Sequence, residues 1–361
     1  MQDFFWGFVF MMSLRDISAL TGYSVSVVSR ALSSDPEVSS IISPSTRKVI
    51  HDAVSRSGFK PNHVASCMRR GVNPSLGVFL LRKSGSLICD TVIGISEEAA
   101  TRNWPLNFYF GPVDDFCQFL KRMSKQKNMG VIAYHSVLKN RMNENCAKSI
   151  SQYCSLGGKL VCLNHYPGGE TETVENISQL RFADYQGGVL AAEFLHSHGC
   201  VKLLSFALGD DYCFQARMSG FSDYCQKHGL DYQVFPHEVS EREWHERHCA
   251  VIEQIEPHLS SESKLGVFIP SDHVLLSCAG YLLERGVAIG RDIHLVGYDD
   301  NDFSRFQPWP FATLKQDFLK EGRLAVKMLA SLLKGEPGQK MELAPELVLW
   351  NYPKSQQKCE K

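Results

Sequence analysis

Twelve cysteines, at positions 67, 89, 117, 146, 154, 162, 200, 213, 225, 249, 278 and 359, have the most chemistry to offer, yet none stands in a Cys-x-x-Cys pair. Neither a zinc ribbon nor a dithiol redox motif is therefore indicated. His245, His248 and Cys249, and likewise His196 with His198, are of metal-ligand type, but each group lacks a second close pair to complete a tetrahedral site. The adjacent carboxylates Asp210–Asp211 and Asp299–Asp300 do not suit acid/base work, because neighbours on a strand point to opposite faces. No nucleophile elbow, phosphate-binding loop or metalloprotease helix is present. The chain reads as a protein that is not an enzyme and uses no metal and no cofactor.

The charge is more informative. The 361 residues carry a formal net charge of −1, with 44% hydrophobic and 21% charged residues, which describes ordinary folded domains, two or three in number. Residues 13–71 hold eight Lys/Arg against four Asp/Glu, whereas residues 72–361 hold 30 against 34. A small basic module on a larger, mildly acidic body suits a nucleic-acid reader carrying a separate sensing domain. The longest apolar run, Phe4 to Met12, is too short to span a bilayer, and no Lys or Arg precedes it as in an export signal. Residues 1–12 read as an appendage, the thiols as reduced, and the expected compartment is the cytoplasm, with no membrane partner.

The elements that position this chemistry begin at Leu14. Leu14, Ile17 and Leu20, a break at Thr21-Gly22, then Val25, Val28 and Leu32 describe two short helices meeting across a glycine turn. Ser24 stands where the second helix needs an N-cap. A third helix is expected over Thr46 to Ser57, ending at Gly58, with Val49, Ile50, Ala53 and Val54 closing the core.

The segments LRDISALTGYSVSVVSRALS and STRKVIHDAVSRSGFKPNHVASCMRRG resemble the DNA-binding headpiece of the lac-repressor family. That resemblance implies a helix-turn-helix headpiece over 13–60 and a hinge helix or linker over 61–73. It places Val25 and Ser26 at base-reading positions, with Arg30 one turn on as a fork for guanine, and Ser13, Ser24, Ser29 and Ser33 at phosphates. In the hinge it implies DNA contacts from Asn62, Ala65 and Met68, the last as a minor-groove wedge where the family usually has Leu. Val27 replaces a usual Thr, and the loop from Ser33 to Ser45 is longer than usual.

Beyond Asn73-Pro74, the apolar runs LGVFLL, LNFYF, GVIAY, KLVCL, VKLLSFAL, LGVFIP and IHLVGYDD alternate with helical stretches, one of them near Thr91 to Asn103. Such alternation argues an α/β fold with parallel sheets, whose ligands bind beyond the strand carboxyl ends. The segments at 183–199, 215–221, 267–287 and 294–335 extend the resemblance and imply that 74–361 is a two-lobed, periplasmic-binding-protein-like domain for effector binding and dimerisation. Residue by residue it implies an effector site of Arg217, Asp299 and Ser271, the last commonly Asn, with Leu87 in place of an aromatic; Asp272 is expected to cap the helix that follows it.

The function so implied is a transcription regulator that binds double-stranded operator DNA as a homodimer, under control of a small-molecule effector, a sugar or related polyhydroxylated metabolite. A solute-binding protein would share the body without the headpiece, and an effector-independent regulator would carry a degenerate pocket. Residues 13–71 discriminate against the first.

Overall fold

Two serines decide where the first two helices begin. Ser13 caps α1 (Leu14–Thr21): its hydroxyl accepts from the Asp16 amide at 3.4 Å while its own amide donates to the Asp16 carboxylate at 2.7 Å. This reciprocal box satisfies two otherwise orphaned donors. Gly22 then takes φ 73°, a left-handed turn open to glycine without cost, and Ser24 caps α2 (Val25–Ala31) by accepting from the Val27 amide at 3.3 Å.

The computed structural model describes residues 12–33, 36–59, 73–81, 87–135, 144–164, 175–209, 211–235, 247–259 and 264–352, and the chain divides into two units, Met1–Gly71 and Val72–Lys361. In the first, the long loop after α2 contains a short helix, α3 (Pro36–Ser40), before α4 (Pro44–Ser57), which Ser43 caps and Gly58 ends. Ile17, Val28, Ala31, Ile42, Ile50 and Phe59 form the core. Two residues expected there lie outside it: Leu20 is 63% exposed and Val49 45%. Val49 lies about 100° around the helix from buried Ile50, so both cannot face inward. Ile42 and Phe59, from the segments flanking α4, fill the space instead.

The second unit holds two six-stranded sheets. In lobe 1, β1 (Asn73–Leu81), β2 (Leu106–Gly111), β3 (Asn128–His135), β4 (Leu160–Asn164), β5 (Ile177–Phe182) and β11 (Lys340–Leu343) pair in the order β11-β5-β4-β3-β1-β2, all parallel. In lobe 2, β6 (Lys202–Phe206), β7 (Asp231–Phe235), β8 (Leu265–Phe268), β9 (Ile293–Asp299), β10 (Phe311–Lys315) and β12 (Glu346–Trp350) pair as β12-β10-β9-β8-β6-β7, with β12 antiparallel. The chain passes between lobes near 183, 316–317 and 344–345.

Parallel strands need cover on both faces. Lobe 1 receives it from α5 (Leu87–Thr101), α6 (Phe116–Lys125), α7 (Glu144–Ser155) and, much later in sequence, α12 (Phe318–Leu333); lobe 2 from α8 (Asp184–Ser197), α9 (Tyr212–Lys227), α10 (Arg247–Ile255) and α11 (Asp272–Glu284). On β1, Leu76, Val78 and Leu80 pack beneath α5 and α12, while Phe79 faces Phe116 and Phe119 of α6. Among the described residues no helix is long and apolar enough to cross a membrane.

The helices α8 and α9 approach backbone to backbone. A Cβ on Gly188 would fall 1.9 Å from the Arg217 carbonyl oxygen, and one on Gly220 1.9 Å from that of Tyr185. Gly220→Ala is expected to push the helices apart at a cost of about 1–3 kcal/mol. Urea midpoints of wild type and variant measure this, and equal midpoints would show that the crossing tolerates a methyl group.

Candidate functional site

Within the first unit, α2 divides into two faces. Val28 and Ala31 are buried, whereas Ser26 and Arg30 are exposed; being four residues apart, they share one side of the helix. Val25 and Ser29 flank this face half-buried, and Ser33 follows the helix, its amide donating to the Arg30 carbonyl at 3.1 Å. Ser13 and Ser24 are exposed at the two helix starts. Ser13 also donates its hydroxyl to Asp16 at 2.7 Å, and its hydroxyl and amide hold the Asp16 carboxyl below its usual range. Asn62, Ala65 and Met68 lie outside the described residues.

In the second unit, a cleft of about 300 Å³ opens where the two lobes meet, beyond the carboxyl end of β9. Asp299 ends β9 with φ 107° and Asp300 follows at φ 54°. The Asp300 carboxylate accepts from the Trp350 indole at 2.8 Å and lies 3.9 Å from the Lys315 ammonium. Burial pushes the Asp299 carboxyl up to about 8, because the water lost on ionisation there outweighs the pull of the Arg217 charge, and Asp272 and Asp184 add to the rise.

Asp272 holds this loop from behind. Rather than capping α11, its fully buried carboxylate accepts from the Ser304 hydroxyl at 2.8 Å, the Thr313 hydroxyl at 2.8 Å and the Asn301 amide at 3.2 Å. Ser271 is the N-cap residue and is 5% exposed, without a side-chain capping bond. Burial raises the Asp272 carboxyl to about 7 against the three donors.

Arg217 does not line this cleft, although its charge acts on Asp299. Arg217 is 5% exposed; its Nε donates to Asp184 at 2.8 Å, its Nη1 to the Pro270 carbonyl at 2.9 Å, and its guanidinium lies 3.5 Å from the centroid of the Tyr298 ring. Burial opposes its charge, but Asp184, Tyr298, Cys213 and Asp299 together outweigh that and keep it protonated. The residues lining the cleft include Asp299 but neither Arg217 nor Ser271. Leu87 opens α5, and its side chain lies outside the described residues.

Phe318, Gln316 and Trp350 line the cleft without having been anticipated. The first two sit at the second passage between lobes and Trp350 on the antiparallel edge strand, places that a search beyond parallel strand ends does not reach. The run PWPFATLKQDF contained the signal: a strand directly followed by a capped helix, with Asp317 accepting from the Lys320 amide at 2.9 Å.

Comparisons with known proteins extend this picture. Residues 192–349 match the family model of the periplasmic binding protein-like domain. The HTH-type transcriptional repressor PurR of Pasteurella multocida (strain Pm70) is 22% identical over 353 residues, covering 96% of this chain and 99% of that protein. PurR of Haemophilus influenzae (strain ATCC 51907 / DSM 11121 / KW20 / Rd) is 20% identical, covering 96% and 99%. Among solved structures, the regulator CelR in complex with cellobiose superposes with a TM-score of 0.64 at 18% identity, covering 93% of this chain and 98% of that one. The lac repressor dimer bound to operator and the anti-inducer ONPF superposes with a TM-score of 0.62 at 20% identity, covering 93% and 97%. These structures share the fold described above.

Proposed function

We infer that this chain, which belongs to the lac-repressor family of transcription regulators, binds operator DNA through residues 13–60 and senses a small molecule between the two lobes of residues 74–361. The observation that carries this reading is the exposed Ser26–Arg30 face of α2, mounted on a buried core in a chain similar to full-length repressors. A helix-turn-helix lays its second helix in the major groove, where Arg30 offers paired donors to guanine O6 and N7 and Val25 an apolar contact to a thymine methyl. Ser13, Ser24, Ser29 and Ser33 fix the register at phosphates, and the hinge at 61–73, with Asn62, Ala65 and Met68, completes the contact.

Two such headpieces read a pseudo-palindrome, so the active species is a homodimer. Asp299 binds the effector, a small polyhydroxylated metabolite, at the cleft; Arg217 and Ser271 act from behind by shaping lobe 2, and Leu87 contributes from lobe 1. An effector that prefers one arrangement of the lobes changes operator affinity by that preference.

Arg30→Ala is expected to cost about 1–3 kcal/mol on the preferred operator and to flatten discrimination at one base pair. Gel shifts on a set of operator variants measure both. Equal weakening on every sequence would reduce Arg30 to a phosphate contact.

A further inference from the structure

The cleft carries more negative charge than its own cations balance. Of its carboxylates, Asp302 pairs with Arg305, and Asp300 is engaged by Trp350 and Lys315. Asp90, at the start of α5 in lobe 1, Asp299, at the end of β9, and Glu346, at the start of β12, also line it and make no ion pair among the described residues. A second observation is independent of charge. Asn301 lines the same cleft, is only 2% exposed, and both its side-chain oxygen and its side-chain nitrogen lack a partner among the described residues. An unpartnered buried amide is costly, and one beside a cavity is satisfied by a ligand offering a donor and an acceptor.

We propose that the effector carries a protonated amine, held among Asp90, Asp299 and Glu346, together with at least one hydroxyl that meets the amide of Asn301. This deepens, and rests on, the reading of the cleft as the effector site. A hydroxyl donating to Asp299 eases its ionisation, and an ammonium group beside it adds a full opposite charge and eases it further. Trp350 and Phe318 add aromatic surface to the wall, which suits a sugar-like ring or the alkyl stem of an amine, and a cation near an aromatic face gains further attraction. Because Asp90 belongs to lobe 1 and Asp299 and Glu346 to lobe 2, one ammonium would draw on both lobes.

Matched pairs of probes test this on the full chain by isothermal calorimetry: D-glucosamine against D-glucose, and 4-amino-1-butanol against 1,4-butanediol. The expected result is that the amine of each pair binds at least about tenfold tighter than its neutral twin. That advantage should shrink in both Asp90→Asn and Glu346→Gln, exposed sites where the fold tolerates an uncharged twin. Equal binding by the neutral twins, no binding by either amine, or an advantage untouched in both variants overturns the proposal. Gel shifts with the bound probe separate this from the underlying reading. A neutral sugar that binds and changes operator affinity leaves the regulator reading standing and the amine wrong; an amine that binds without changing operator affinity does the reverse.

Discussion

Arg217→Ala is expected to destabilise the second unit by roughly 3–5 kcal/mol, the largest effect of any single substitution considered. The alanine would strand Asp184, only 8% exposed, without its cation, and leave the Pro270 carbonyl without its donor and the Tyr298 ring without the guanidinium packed on it. Arg217→Lys should recover only part of the loss, since a single ammonium cannot reproduce two fixed donors and a flat face over an aromatic ring. Denaturant midpoints of the three proteins are the measurement. A variant that unfolds with the wild type would mean that Arg217 is not a structural residue and is free to meet the effector directly.

Stability is also expected to fall as the pH rises toward 8. Three carboxyls of the second unit are raised by burial: Asp272 to about 7, Asp299 to about 8 and Glu321 to about 8, against ordinary values of 3.8, 3.8 and 4.5. A carboxyl that holds its proton more tightly when folded contributes stability that is complete below about pH 4 and drains away as the pH climbs through the folded value. Glu321, fully buried on α12, is the clearest case: one oxygen accepts from the Thr91 hydroxyl at 3.0 Å and the other has no partner among the described residues. Glu321→Gln keeps the shape and removes the titration, so it should flatten the pH profile and add roughly 2–4 kcal/mol near pH 9. Thermal midpoints across the range decide it; a variant whose profile parallels the wild type would place the titration elsewhere.

The strands that were legible in the sequence are the continuous apolar ones, β1, β3, β4, β6, β8 and β9, together with β2. Those that were not are mixed or at an edge. On β5, Ser178, Gln179 and Arg181 interrupt the pattern, and although Ser178 and Gln179 are buried, the Ser178 hydroxyl is spent accepting from the Gln339 amide at 3.1 Å. β7 and β12 pair on one side only, so neither needs to be apolar throughout. The helix-turn-helix was legible because capping serines, a glycine turn and apolar spacing are local signals. The partner of Arg217 was not: Asp184 is 33 residues away, and no local pattern says which of two nearby carboxylates a buried guanidinium will choose.

The order in which the lobes are completed bears on how the protein is made. Lobe 1 opens with β1 at residue 73 but receives the helix that roofs its core only at 318–333 and its edge strand at 340–343, after nearly all of lobe 2 has been synthesised. A nascent chain paused before residue 318 therefore exposes the apolar row Leu76, Val78 and Leu80 along one face of an unfinished sheet. Such long-range closure is slow and leaves sticky surface in the meantime. Expression should accordingly be sensitive to chaperone supply and to any early stop codon in the last forty or so residues, because even a late truncation removes parts of both lobes at once.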